Sequence, residues 1–377
     1  MTMGNALSEK PHPGNLQVRF DEREVADAAT PRPRSLLFAT NRREFLKGFA
    51  AASVTLLGAS GCSVLPTFGL LRKDETLVAI LSDCHVGNWN SPKYQGEKFA
   101  ECIARVLALD PLPAKMLIPG DLAYLWGRKE DYELSRTLLQ PVLDAGIEVT
   151  IGMGNHDRRE NFLERWPDYA DRSPVPGRIV SKVHGVHFDY IMADTLDQPV
   201  ETDRWITPGT LDDAQREWLK AECAASKRPL LVLAHHPAGE LGEPGKGKTS
   251  GSARKFGELI MGTKEAPTNC CGYIHGHDHR WYVTRSLRHW SAGLVGQTAG
   301  LPSTGHWGDI GYCLLREYPD RAELSLVQYD YFSPKPLPAD AAPNPAWQAI
   351  VRDNAGKRCT FVATWRPSPY PERPSSP

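Results

Sequence analysis

The sequence predicts an α/β fold built on a parallel sheet, for two reasons. Short apolar runs of strand length alternate with segments whose apolar residues recur at three-and-four spacing, and each apolar run ends in a small cluster of polar, ligand-type side chains. Residues 77–81 form the first strand, ending in Ser82-Asp83, and residues 97–109 follow as a helix. Residues 115–119 form a second strand ending in Gly120-Asp121, residues 130–143 a second helix, and residues 148–153 a third strand. That βαβαβ order makes the strands parallel. Residues 211–225 begin Leu-Asp-Asp-Ala-Gln and read as a helix with an aspartate cap. Residues 229–234 and 271–275 are two further buried strands. From 281 to 331 the pattern changes to short alternating strands separated by Gly and Pro. Residues 332–377 are rich in proline and read as a covering tail or a partly disordered end, with 359–365 as one late strand.

The 377 residues are 41% hydrophobic, ample for a sizeable core. Lys and Arg number 44 against 45 Asp and Glu, so the chain has no general basic surface with which to hold nucleic acid. The longest apolar stretch, residues 48–58, is interrupted by Ser53 and Thr55 and falls short of the ~20 residues of a membrane span. It is preceded by Asn41-Arg42-Arg43-Glu44-Phe45-Leu46-Lys47 and closed by Ala59, Ser60 and Gly61. Residues 1–61 therefore resemble a twin-arginine export leader, which implies a periplasmic or envelope-anchored protein. Cys62 is then either a lipid-attachment cysteine, the one expected membrane contact, or the first residue after ordinary cleavage, with residues 62–75 as a linker. Seven cysteines follow Cys62, and no Cys-x-x-Cys occurs, so zinc-ribbon and thioredoxin readings fail. Adjacent Cys270 and Cys271 are either a core pair entering a strand or half of an oxidised bridge.

The chemistry lies where the strands end. The clusters are Asp83-Cys84-His85, Gly120-Asp121, Gly154-Asn155-His156-Asp157, Ala234-His235-His236-Pro237 and Gly276-His277-Asp278-His279. The carboxyl ends of the strands are where α/β sheets place their sites. Asp, Asn and His offer oxygen and imidazole nitrogen, a set suited to Zn, Mn or Fe. A lone His at a strand end is ordinarily a core residue; the five clusters in this order, each after an apolar run, are what carries the metal reading.

These residues resemble the calcineurin-like metallophosphoesterase family, whose pattern is Asp-x-His, Gly-Asp, Gly-Asn-His-Asp or Glu, a later His, and Gly-His-x-His. The resemblance covers about residues 76–330, within a domain placed at 76–335 and followed by a tail at 336–377. It implies a four-layer α-β-β-α sandwich of two packed mixed sheets flanked by helices. It also implies two metal ions, of Mn, Fe or Zn, with Asp83, His85 and His279 on one, Asn155, His235 and His277 on the other, and Asp121 bridging both. His235 is favoured over His236 because the family's metal histidine stands two residues before the proline; His236 then faces the substrate or packs. A hydroxide held between the ions would attack phosphorus, and His156 would steady the phosphoryl oxygens and protonate the leaving group. Asp157 would either orient that imidazole or cap a helix. Cys84 reads as a buried small side chain, and His275, His289 and His306 as ordinary polar residues.

Gly120-Asp121-Leu122-Ala123-Tyr124 also fits the Gly-Asp-x-x-Tyr pattern of purple acid phosphatases, which lack the His of Asp-x-His, so Tyr124 is either a ligand or a wall of the cleft. The run from Gly154 to Phe162 looks closer to the cyclic-nucleotide and glycerophosphodiester phosphodiesterase branch. The expected function is therefore an exported phosphodiesterase acting on a small phosphate ester. A purple-acid-type phosphomonoesterase and a catalytically silent lipoprotein binding module are the alternatives, the complete ligand set favouring an enzyme. Arg158 and Arg159, with Lys246 and Lys248 in the glycine-rich stretch 239–251, would either hold the single charge of a diester or belong to a solvated surface.

Overall fold

The computed structural model describes residues 76–87, 95–124, 126–197, 209–243, 247–248, 251–263, 266–284, 298–304, 309–319, 321–331, 347–352 and 359–364. The first half of the chain contains β1 (Thr76–Ile80), α1 (Gln95–Leu107), β2 (Lys115–Ile118), α2 (Lys129–Asp144), β3 (Glu148–Ile151), α3 (Arg159–Arg165), α4 (Asp168–Arg172), β4 (Ser181–His184) and β5 (Asp189–Met192). Then follow α5 (Asp213–Ala225), β6 (Leu230–Ala234), a 3-10 turn at Ala238–Glu240, β7 (Gly242–Glu243), β8 (Gly247–Lys248), α6 (Ser252–Met261) and β9 (Cys270–His275). The last strands are β10 (Tyr282–Thr284), β11 (Thr298–Gly300), β12 (Asp309–Glu317), β13 (Arg321–Tyr331), β14 (Trp347–Arg352) and β15 (Cys359–Thr364).

Among the described residues these strands form two large mixed sheets. One has the order β15-β14-β13-β12-β1-β2-β3, the other β10-β11-β9-β6-β5-β4. The expected βαβαβ unit is present, with β1, β2 and β3 parallel. In the second sheet β5, β6, β9 and β11 run parallel. Strand β1 shows why two sheets stack: its residues alternate between faces. Val78 and Ile80 join Leu231, Leu233, Ile274 and Tyr190 in a core between the sheets. Leu77 and Ala79 turn outward onto Phe99, Ile103, Leu139 and Val142 of α1 and α2. On the far side Val232 and Ile191 pack against Leu219 of α5 and Phe256 and Ile260 of α6. The result is the expected four-layer α-β-β-α sandwich. At the end of β1 away from its ligand cluster, the buried carboxylate of Glu317 accepts hydrogen bonds from the backbone of His187 (2.6 Å) and Phe188 (3.3 Å) and from the Tyr190 hydroxyl, fastening the first sheet to the turn between β4 and β5.

Several segments differ from their expectation. The tail is not confined to one late strand: β14 pairs antiparallel onto β13 and β15 onto β14, so the sheet runs past residue 335. The region expected as short strands contains β12 and β13, nine and eleven residues long, whose pairing covers residues 309–331. The glycine-rich stretch holds the 3-10 turn and a two-stranded ribbon and leads into α6. Cys84, Cys102, Cys223, Cys270, Cys271 and Cys313 are all buried thiols outside any disulfide, so the bridge considered for Cys270 or Cys271 does not form. No helix among the described residues is long and apolar enough to cross a membrane. The leader, Cys62, Lys246, His289 and His306 lie outside the described residues.

Candidate metal centre

The five clusters converge because β1, β2, β3, β6 and β9 all end on the same edge of the sandwich, as the sequence required. Asp83, His85, Asp121, His277 and His279 have φ between 45° and 70°, the left-handed region that ordinary residues avoid at a cost of about 1–2 kcal/mol each. A run of such residues at one place marks a functional site. Two glycines make the approach possible. A Cβ on Gly154 would lie 2.1 Å from Asp121 Oδ1, and one on Gly120 would lie 2.8 Å from the Gly154 nitrogen.

Two groups of donors result, joined at Asp121. In the first, His279 Nε2 lies 3.1 Å from both Asp83 Oδ1 and His85 Nε2, and His85 Nε2 lies 3.8 Å from Asp121 Oδ2. In the second, Asn155 Oδ1 is 3.0 Å from His235 Nε2 and 2.9 Å from His277 Nδ1, while His235 Nε2 is 3.1 Å from the same Asp121 Oδ2. Donor atoms this close are a fit for cations: Asp83, His85 and His279 all fall within 4.8 Å of one another, as do Asp83, Asp121 and His235. The expected ligand set, Asp83, His85, Asp121, Asn155, His235, His277 and His279, is thus brought together in full.

These buried groups shift one another's proton affinities. Burial would raise the Asp121 carboxyl, but the imidazoles of His235, His156 and His85 outweigh it and hold Asp121 well below the usual range. Burial would lower His235; the carboxylates of Asp121, Asp83 and Asp157 together outweigh that and raise it to about 9. Outside the ligands, Ser82 Oγ donates to Asp83 Oδ2 (2.6 Å), and the Tyr124 carbonyl lies 3.0 Å from His85 Nδ1, leaving Nε2 of that ring for the site. That contact with His85 is made by the Tyr124 backbone, and the residue is half-buried.

His156 sits beside the ligands. Its ring meets His85 edge-on at 4.7 Å, its Nε2 is 3.9 Å from Asp121 Oδ2, and its backbone N–H donates to Asp121 Oδ1 (2.9 Å). Burial lowers its proton affinity, which Asp121 partly restores. Asp157 neither orients this ring nor caps α3. Its carboxylate accepts from the backbone of Leu122 (3.4 Å), Ala123 (3.1 Å) and Gly154 (2.9 Å) and from the Tyr132 hydroxyl (3.1 Å), because it is turned inward where those donors would otherwise be orphaned. Its carboxyl is raised to about 7 by burial and by the Asp121 charge. Arg159 is likewise withdrawn from substrate: it forms a bidentate pair with the buried Asp194 at 2.6 and 2.8 Å. Arg158 is the residue before α3, its N–H donating to the Tyr132 hydroxyl and its Nε 3.4 Å from the Trp126 carbonyl. His236 is buried, with Nδ1 2.8 Å from Thr195 Oγ1 and its ring 4.9 Å from that of His277. Glu240, which the sequence offered only as a carboxylate three residues after His-His-Pro, lies 3.4 Å from His277 Nε2.

Comparison with known proteins agrees with this geometry. Two curated relatives both bear the name probable cyclic nucleotide phosphodiesterase. The one from Rhodopseudomonas palustris is 30% identical over 155 residues, covering 39% of this chain and 50% of the relative. The one from Rhodococcus erythropolis is 27% identical over 164 residues, covering 42% of this chain and 50% of the relative. The chain thus spans about half the length of the curated relatives it matches. Among solved structures, a dimetal phosphatase from Danio rerio superposes with a TM-score of 0.50 at 12% identity, over 68% of this chain and 97% of that one, a likeness of fold. The calcineurin-like phosphoesterase family matches residues 76–281, more than half of the chain. With its sandwich and its Asp/His site, the chain belongs to the calcineurin-like phosphoesterase family.

Proposed function

We propose that the chain hydrolyses phosphodiesters at a dinuclear metal centre, outside the cytoplasm and after twin-arginine export. The observation that carries the reading is the sharing of Asp121 Oδ2 between two donor groups, His85 on one side and His235 on the other. Asp83, His85 and His279 would hold one ion, Asn155, His235 and His277 the second, and Asp121 both; Mn, Zn and Fe suit this mixture of carboxylate, amide oxygen and imidazole. Such ions, when bound, supply Lewis-acid charge against phosphoryl oxygens and acidify water towards neutrality. The chain's own residues do the rest. His156, wedged between His85 and Asp121 and partly open to solvent, is placed to meet a phosphoryl group on the ligand edge and to pass its ring proton to the departing oxygen. An anionic ester beside it favours the protonated ring. His236, beside His277, borders the same space.

A diester fits a site with few cationic side chains among the described residues to neutralise a second phosphate charge, Arg159 being committed to Asp194. The names of the two curated relatives make cyclic nucleotides the first diesters to assay. The test compares kcat/KM for bis(p-nitrophenyl) phosphate, 3′,5′-cyclic AMP and p-nitrophenyl phosphate on one preparation loaded with Mn, Zn or Fe. A diester should be the better substrate. A tenfold monoester preference, worth about 1.4 kcal/mol of transition-state stabilisation, would overturn the reading.

A further inference from the structure

We infer that Glu240 is a positioning residue that sets the metal affinity of the second site by acting on His277. The inference rests on the dinuclear reading above and deepens it. His277 holds an exposed corner of the site, its side chain 23% accessible, on a left-handed backbone with φ 70°. Its backbone is fixed, the N–H facing both Asp83 oxygens at 3.0 and 3.2 Å. Rotation about the side-chain bonds is not fixed by that contact. The ring presents Nδ1 to the second donor group, 2.9 Å from Asn155 Oδ1 and 3.3 Å from His235 Nε2. For Nδ1 to offer a lone pair, the proton of the neutral ring must sit on Nε2. Glu240 Oε2 lies 3.4 Å from that nitrogen, on the opposite side of the ring. A carboxylate there stabilises the Nε2–H tautomer, resists rotation of the ring and strengthens Nδ1 as a donor. Glu240 reaches this point because Pro237 is followed at once by the 3-10 turn at Ala238–Glu240, whose Glu240 N–H bonds the Pro237 carbonyl at 2.8 Å, so the loop after His235-His236 folds back over the site. His85 is served in the same way by the Tyr124 carbonyl; there the group is backbone and cannot be mutated away, whereas at His277 it is a side chain.

The test is metal titration of purified, metal-stripped full-length protein with Mn, followed by calorimetry and by metal content after gel filtration. Glu240→Ala should weaken one of the two uptakes by about 10–100-fold and leave the other unchanged, the usual effect of removing such an outer carboxylate. Glu240→Gln, which keeps an acceptor oxygen and loses the charge, should recover part of that loss. With excess Mn, kcat of Glu240→Ala should approach wild type while the Mn concentration for half-maximal activity rises. Unchanged binding of both ions in Glu240→Ala would overturn the inference, as would equal weakening of both sites. If wild type takes up two ions yet prefers monoesters, the diester reading fails and the Glu240 result still stands on the titration; if wild type takes up fewer than two, both fail.

Discussion

Asp121 and His156 are neighbours with different work. Removing the shared carboxylate leaves two groups of donors with nothing between them, so Asp121→Ala should lose bound metal along with turnover. His156→Ala should retain metal and lose about 10²–10⁴-fold in rate, the usual worth of a general acid. Metal content of the two purified variants decides this, and a fully metallated, active Asp121→Ala protein would refute the assignment. His235 gives a pH prediction. Without metal its pKa lies near 9, above the ordinary 6.5, because the pull of Asp121, with that of Asp83 and Asp157, exceeds the push of burial. The pair therefore stabilises the metal-free fold fully below about pH 6.5, and that contribution is lost as the pH rises through about 9. Metal must displace the same proton, so uptake at pH 7.5 should release protons and apparent affinity should rise with pH towards 9. Calorimetry in two buffers of different ionisation enthalpy measures the release; identical heats would exclude it.

At the level of loops and strands, the site is held by groups that touch neither metal nor substrate. The turn after β2 and the turn after β3 are tied by one carboxylate, Asp157, reaching backbone N–H groups on both. Truncating it orphans buried donors that cost about 1–3 kcal/mol apiece. Asp157→Ala should accordingly lower unfolding stability by about 3 kcal/mol or more in urea denaturation, and weaken metal binding through movement of Asp121 and Asn155. Asp157→Asn should lose less, since its amide oxygen still accepts. A loss of kcat without loss of stability would instead return Asp157 to an orienting role for His156. The left-handed ligands belong to this scale too: the ordered strands behind them supply the constraint that keeps five unfavourable backbones in place.

The molecule as a whole places its ligand-bearing strand ends along one edge and ties its sheets together at the other, where Glu317 joins them. A domain closed by many non-local pairings is suited to export after folding, the route proposed for this chain. Replacing Arg42 and Arg43 with lysine should strand the precursor in the cytoplasm, because the transporter reads the guanidinium pair and charge alone is insufficient. Cell fractionation shows it: processing and export of the double-lysine precursor would end the twin-arginine reading. Cys62→Ala separates anchoring from export, and continued membrane association of that variant would rule out a lipid on Cys62.

The five candidate clusters were legible in the sequence because each follows a buried apolar run, and strands of one direction end on one edge; the assignment of Asp83, Asp121, Asn155, His235 and His277 within them came from the family resemblance. The helices flanking β2 were legible within two residues for the same local reason, their periodicity. What the sequence could not determine was the direction of side chains whose partners lie far along the chain. Asp157 looked like a partner of adjacent His156 and turned inward to Leu122, Ala123 and Tyr132; Arg159 looked like a substrate contact and was taken by Asp194, 35 residues away. Glu240 carried no signal, since only the fold of the loop after Pro237 brings it to His277. Strand β14 was obscured by its proline-rich flank, its pairing being a property of the open edge of β13, whereas β15 was legible as a late strand. Periodicity and motif spacing are local and survive in one dimension; hydrogen-bond choice among buried polar groups is a competition settled by which donors the packed fold leaves without water.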